Sequence, residues 1–309
     1  MIVTLTMNAT IDKTYMIPDF QAGQLHRVKD MYSNAGGKGI NVARVMHALN
    51  EEVLATGIVA GFNGSFIEAE LTREGIPHEF VRIEGESRVS INLLDPVRET
   101  QSELLEAGPW LDEAGLEAIK CKVTELAGRA SHVVMSGSLL QGCPVSLYAE
   151  LVQLVRAAGA WPVLDASGDA LVHGAGAHPM LMKPNEHEVL KLTGGTSCDE
   201  TSVIAAIERL MGSGVPQVVV SLGGEGAIAG MDGRLFRVTI PKVQVVSAVG
   251  CGDSMLAGLV VAHKRGMHIE DQLRMGAACG TANALLPEAG TIRLADVARL
   301  MEQVQITEL

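Results

Sequence analysis

Between residues 249 and 258 the chain reads VGCGDSMLAG, two glycines around a cysteine followed by an aspartate. The apolar run VQVVSA precedes it and an apolar helical pattern follows, so Gly250, Cys251 and Gly252 turn the chain at a helix N-terminus. Backbone N–H groups there lack helical partners, and with the positive end of the helix dipole they form an anion site. Asp253 in the first turn admits two readings. It caps the helix, or it takes a proton from a substrate hydroxyl while the glycine amides hold the charge developing on a transferred phosphoryl group. Phosphoryl transfer asks chiefly for positioning and charge neutralisation, and a carboxylate beside an amide nest supplies both. Cys251 as a nucleophile is the weaker alternative: a helix start would lower its pKa, but no histidine lies within the ten residues upstream.

Two phosphate-binding fingerprints are excluded. GCGDSM carries Met255 where G-x-G-x-x-G needs its third glycine, and AGGKGIN lacks the Ser or Thr that a Walker loop places after its lysine. NAGGKGINVA at 34–43 is a second glycine cluster opening a helix. It is either a turn with Lys38 in solvent or a close approach to a polyol, with Asn41 and Asp12 bonding hydroxyls. In KPNEHEV at 183–189, Pro184 can end a strand, Asn185 can cap the next helix and Glu188 stands at capping-box spacing. Lys183 is left without a structural explanation. SLGGEGA at 221–227 reads as a hairpin turn or as amides approaching a nucleotide phosphate. His26 and His187 have no partner at metal spacing and read as surface residues.

These motifs need a frame. IVTLTM reads as a strand entering the loop NATID, and KTYMIPDF and LHRVKDMYSNAGG read as strands of a small sheet with one open face. INVARVMHALN has helical spacing, VLATGIVAG is a buried strand, and a helix covers 65–74. HEFVRI, RVSINLLD and TQSELLE are short and strand-like, and with the early strands they predict a β appendage to the main fold. From residue 110 onward, apolar strands (HVVMSG, WPVLDAS, PMLMKP, QVVVSLG) alternate with helices at 112–127, 145–157, 186–192, 200–211, 253–265, 269–285 and 294–303. Such alternation predicts an α/β fold with a mostly parallel sheet covered on both faces, whose ligands sit at the strands' carboxyl ends. SGS, DAS, KPN and SLGGEG each follow a strand, which places them along one rim.

Composition narrows the partners. A chain of 309 residues that is 47% hydrophobic buries a sizeable core as one large domain. Its 36 acidic against 24 basic residues give a charge of -12, which repels nucleic acid and anionic membranes, so any phosphate must be captured locally. The opening MIVTLTMNAT lacks the pattern of a signal peptide, and no run approaches the roughly 20 apolar residues of a membrane span. Five scattered cysteines, never spaced C-x-x-C, fit free thiols in a reducing cytoplasm.

Taken together, NATID, AGGKGINVARV, SGSL, DASGDAL, KPNEHE, SLGGEGA and VGCGDS stand in the order and at about the spacing of the ribokinase-like carbohydrate kinases, which the chain resembles over nearly its entire length. It looks most like the branch that phosphorylates hexose monophosphates: tagatose-6-phosphate kinases, 1-phosphofructokinases and the minor bacterial 6-phosphofructokinases. The resemblance implies a three-layer fold in a single domain, with a β lid from about 13–34 and 80–105 that often serves as a dimer interface. It implies ATP, Mg²⁺ and, in some members, a monovalent cation. Asp253 would be the general base and the amides of Gly250, Cys251 and Gly252 the anion hole. Asp12, Gly37, Lys38 and Asn41 would face the sugar, with Arg88 and Ser138 near its phosphate and Arg27 reaching it across a dimer. Lys183, Asn185 and Glu188 would lie near phosphates and magnesium, Glu188 through water. Ser221, Gly223 and Gly226 would line ATP, and Asn283 would stand in the adenine wall.

DASGDAL and ELLEAGP lean towards tagatose 6-phosphate, and the 1-phosphofructokinases come close to both. A sugar-phosphate binding protein on the same scaffold is the non-enzymatic alternative, against which Asp253, Lys183, Asn185 and Glu188 all argue. Two positions depart from the family. Cys251 stands where alanine is usual and crowds the anion loop unless its sulfur faces away; Leu140 replaces a common proline.

Overall fold

The computed structural model describes residues 1–195 and 197–309. The chain begins β1 (Ile2–Thr6), β2 (Thr10–Met16), β3 (Asp30–Gly36), α1 (Lys38–Ala48), β4 (Val53–Ala60), α2 (Gly61–Arg73), β5 (His78–Ile83), β6 (Arg88–Asp95) and β7 (Thr100–Leu105). It continues α3 (Glu113–Ala127), β8 (His132–Ser136), α4 (Leu147–Ala157), β9 (Trp161–Asp165), α5 (Gly168–Ala175), β10 (Leu181–Met182), α6 (Glu186–Thr193) and α7 (Glu200–Gly212). Last come β11 (Gln217–Ser221), β12 (Ala227–Met231), β13 (Arg234–Thr239), α8 (Cys251–Lys264), α9 (Ile269–Asn283), α10 (Leu294–Met301) and β14 (Gln305–Glu308).

A 10-stranded sheet runs in the order β14-β13-β12-β11-β10-β9-β8-β1-β4-β5. Pairing is parallel from β11 through β5, and β12 to β14 extend the other edge antiparallel. Both faces are covered, which is why strands such as β1 and β4 are buried from end to end. Strand alternation divides the core in two. Ile2 of β1 packs with α1, α2, α8, α9 and α10, whereas Val3 and Leu5 pack with α3 to α7 on the opposite face.

A separate 4-stranded sheet, β3-β2-β6-β7, stands over the carboxyl ends of the main strands. It draws on 10–36 and 88–105, so β2 already starts inside NATID. HEFVRI, expected in the appendage, belongs to the main sheet: β5 pairs in parallel with β4 from Ala55↔His78 to Ala60↔Ile83. The physical reason is two-sided packing, with Phe80 against one core and Val81 and Ile83 against the other. Helix α5 was not expected either. Its sequence GDALVHGA is short and glycine-rich, yet Leu171 anchors it in the second core. No helix among the described residues is long and apolar enough to cross a membrane, and all five cysteines are free thiols.

Candidate active site

The site grows from the start of α8. Its N-cap, Gly250, has φ 81, a left-handed conformation natural to glycine. A β-carbon there would lie 2.6 Å from the amide nitrogen of Gly290 and 3.0 Å from Cα of Ala289, so close backbone approach also demands glycine. No side chain caps this helix. Asp253 does something else: buried one turn in, its Oδ2 accepts a hydrogen bond from Nδ2 of Asn41 at 2.9 Å. Burial pushes the Asp253 carboxyl up from its ordinary range and neighbouring Asp165 adds to this, while Lys38, the Asn41 hydrogen bond and Lys183 pull it down. A desolvated carboxylate of raised pKa beside helix-start amides can serve as a base next to an anion site; of those amides, that of Cys251 donates to the carbonyl of Ala248 at 3.4 Å.

Asp165, at the end of β9, links the two lysines. Its Oδ1 lies 3.2 Å from Nζ of Lys38 and its Oδ2 lies 3.6 Å from Nζ of Lys183. Burial alone would raise the Asp165 carboxyl, but Lys183 and Lys38 together hold it below its usual range. At 3.6 Å the Lys183 contact is an ion pair without a hydrogen bond, and Oδ2 of Asp165 is buried with no hydrogen-bond partner. Lys183 also borders the nest, because a β-carbon on Gly252 would stand 3.1 Å from its Nζ.

Two cavities meet at Gly252. One, about 430 Å³, lies under the four-stranded sheet and is lined by Asp12, Gly37, Lys38, Asn41, Arg88 and Asp253 among others. The second, about 680 Å³, runs from Ser221, Gly223 and Gly226 to an apolar wall of Ile240, Val243, Val245, Met255 and Ala277. Asn185, Ser221 and Gly252 border both. Asp12 is half-buried at the first cavity; burial pushes its carboxyl up to about 6 although Arg44 and Arg88 oppose this. Arg88 donates to the backbone carbonyls of Asn8 and Glu106, at 3.4 and 3.2 Å, and neither Glu84 nor Glu86 pairs with it.

The capping-box reading of KPNEHEV holds. Asn185 Oδ1 accepts from the amides of His187 and Glu188, and Glu188 Oε2 accepts from the amide of Asn185 at 3.0 Å. The cap fixes both side chains while they border the first cavity. Gly226 has φ 88, and a β-carbon there would collide with the carbonyl of Val238 at 2.1 Å.

Three expected residues stand elsewhere. Asn283 is fully buried and lines neither cavity. Its Oδ1 accepts from Ser254 Oγ at 2.9 Å and from the amide of Gly290 at 2.8 Å, and its Nδ2 donates to the carbonyl of Val249 at 2.9 Å. It latches the anion loop to the 290 loop and forms no adenine wall, since its polar atoms are already bonded. Ser138 is exposed and accepts from Asn8 Nδ2 at 3.4 Å, outside the lining of the first cavity. Arg27 lies on the exposed 18–29 connection, also outside both cavities. Cys251 turns its sulfur towards the carbonyl of Ser247, 3.8 Å away, on the second-cavity side. Burial pushes its thiol up to about 11, the opposite of nucleophile activation.

Sequence reasoning missed Asp165, although DASGDAL was among the motifs. The available signal was position: an aspartate ending a strand on the ligand rim, level with Ser136 in the ladder. It also missed Arg44 and the 287–290 loop, whose Pro287, Glu288 and Ala289 help line the first cavity.

A doubly covered parallel sheet, a β lid and a buried carboxylate at a glycine helix start between two cavities define a phosphotransferase that acts on an alcohol group. The chain belongs to the pfkB family carbohydrate kinases, whose profile matches residues 1–294. A tagatose-6-phosphate kinase of Staphylococcus epidermidis is 33% identical over 312 residues, covering 100% of both chains. Escherichia coli phosphofructokinase-2 in complex with potassium superposes with a TM-score of 0.92 at 26% identity, over 97% of this chain and 98% of that one. Its complex with fructose-6-phosphate gives 0.89 at 25% identity over the same shares. Arabidopsis thaliana ribokinase with ribose and ATP, TM-score 0.75 at 23% identity over 97% and 98%, shares the ribokinase-like fold.

Proposed function

We propose that the chain transfers the γ-phosphoryl group of ATP to a free hydroxyl of a ketohexose monophosphate, with tagatose 6-phosphate as the preferred acceptor and a bisphosphate as product. The observation that carries this reading is Asp253, buried where the two cavities meet and bonded to Asn41 at 2.9 Å. The sugar occupies the first cavity, where Asp12 and Asn41 bond its hydroxyls and Lys38 and Arg88 face its phosphate. ATP occupies the second, its base against the apolar wall and its phosphates reaching Lys183 past Ser221, Gly223 and Gly226. Asp253 takes the hydroxyl proton as the oxygen attacks phosphorus in line, and the amides of Gly250, Cys251 and Gly252 neutralise charge on the moving group.

Glu188 has a second carboxylate oxygen not used by the cap, and Asp165 has a buried oxygen without a hydrogen-bond partner. Such hard donors fit Mg²⁺, which Glu188 would hold through water beside Asn185, and which would neutralise the ATP phosphates. A monovalent-cation requirement is supported by likeness to the potassium complex, and a rate titration in KCl against NaCl tests it.

The test of function is ADP release measured side by side with tagatose 6-phosphate, fructose 6-phosphate and fructose 1-phosphate. Silence with all three sinks the reading. Fructose 6-phosphate as the best acceptor would favour the second reading, which rests on the likeness to phosphofructokinase-2. The Asp253→Asn variant should lower turnover by about a hundredfold or more while ATP and sugar still bind.

Exposed Met31 and Tyr32 on β3 and Leu104 and Leu105 on β7 support pairing of two copies through the lid. In such a dimer Arg27 would reach the partner's sugar phosphate. Light scattering that shows a monomer would refute this. The free thiols are consistent with a cytoplasmic enzyme.

A further inference from the structure

Arg44, on α1 one turn after Asn41, is tied to its own helix and to three other segments. Its Nε and Nη2 grip Glu74, just past the end of α2, at 2.7 and 3.2 Å, and Nη2 also donates to the carbonyl of Ala35 at the root of the lid, 2.7 Å away. Its Nη1 donates to Asn41 Oδ1 at 3.3 Å and to the carbonyl of Ala289 at 3.4 Å. The group is well shielded, with side-chain exposures of 13% for Arg44 and 19% for Glu74.

An asparagine amide can sit in either of two orientations, and its partners decide which. A guanidinium only donates, so Arg44 must face Oδ1 of Asn41, which leaves Nδ2 to face Asp253. The reverse orientation would set Oδ1 against the Asp253 carboxylate and the NH₂ against the guanidinium, two repulsive contacts. We propose that Arg44 is a positioning residue which, pinned by Glu74, holds Asn41 so that Asp253 receives a hydrogen bond and is kept ionised for catalysis. The inference rests on Asp253 being the base.

Other groups act on Asp253 as well: Lys38 from α1, Asp12 from β2, Asp165 from β9 and Lys183 after β10. Arg44 additionally acts on Asp12 through its charge. The test must therefore separate orientation from charge.

The measurement is kcat against pH, at saturating substrates, for wild type, Arg44→Met, Arg44→Lys and Glu74→Gln. Losing a hydrogen bond to a charged group should move the acidic limb of Arg44→Met upward by about one pH unit. The KM for ATP should change by less than about twofold, because no uniform binding contact is lost. Arg44→Lys and Glu74→Gln should move the limb in the same direction by less, and they stand in if the Met variant fails to fold. Added to Asn41→Ala, Arg44→Met should produce a clearly smaller shift than it does alone, the remainder being the loss of its charge near Asp12. An unmoved limb, or an equal shift in the Asn41→Ala background, overturns the proposal. Asp253→Asn run in parallel distinguishes the two failures. Wild-type turnover there refutes the base itself, whereas inactivity there with an unmoved limb in Arg44→Met refutes only the positioning role.

Discussion

Replacing Asp165 by Asn keeps the shape of the side chain and removes one buried charge from between two lysines. Asp165 is 1% exposed and Lys183 only 5%, whereas Lys38 at 37% can turn to water. Removing one partner of a buried pair costs about 3–5 kcal/mol, since the other charge stays behind unpaired. With Lys38 able to escape, the lower end applies, about 3 kcal/mol, borne mainly by Lys183. Unfolding entropy of roughly 2.1 cal/mol/K per residue converts this to a fall in Tm of about 4–5 °C for 309 residues. Because Asp165 titrates below its ordinary 3.8 in the fold, its contribution is fully present above that value and disappears as pH falls through the depressed one. Urea unfolding of both proteins at pH 7 and again well below pH 3.8, without nucleotide, measures this. A difference under about 1 kcal/mol at pH 7 would refute the view of Asp165 as the shared counterion.

Three further outcomes are expected. Asp253 carries the opposite sign to Asp165: its folded pKa is raised, so its charge costs stability as pH rises through 3.8 and beyond, and Asp253→Asn should be more stable than wild type at pH 7 by thermal denaturation, though inactive. Gly250→Ala places a methyl 2.6 Å from the amide of Gly290 at φ 81, so it should fold with a loss of about 1–3 kcal/mol while kcat drops about a hundredfold as the anion loop shifts. Cys251→Ala should leave kcat unchanged in the ADP-release assay and cost under about 1.5 kcal/mol, and iodoacetamide at pH 8 should spare Cys251, whose thiol is pushed up to about 11.

Much of this site was legible because its parts announce themselves locally. A glycine pair before an apolar helix marks an anion nest, and N-x-x-E marks a cap, whatever the rest of the chain does. The rim followed from counting strand ends. What stayed hidden depends on how distant elements pack: Lys38 of α1 meets Asp165 of β9 across 127 positions, and Asn41 of α1 meets Asp253 of α8 across 212. No periodicity encodes those distances. Asn283 shows the converse, since an amide near a ligand loop looks the same in sequence whether it faces the ligand or latches the loop from behind. HEFVRI was misplaced because a six-residue strand with both faces half-buried has no alternation to distinguish main sheet from lid.

The lid and the main sheet share no hydrogen-bond ladder. Lys13, Asn92 and Glu103 project into the first cavity from lid strands, while Asp253, Lys183 and the anion loop hang on the main sheet and its helices. On the proposed reading the acceptor meets both pieces, Asp12 and Arg88 from the lid and Lys38 and Asn41 from α1, whereas the phosphoryl chemistry rests on the main sheet and its helices alone. Such a chain can drift in its lid without eroding that chemistry: lid substitutions would retune which sugar is accepted at undiminished chemical competence. Directed libraries confined to β2, β6 and β7 offer the shortest route to a changed acceptor.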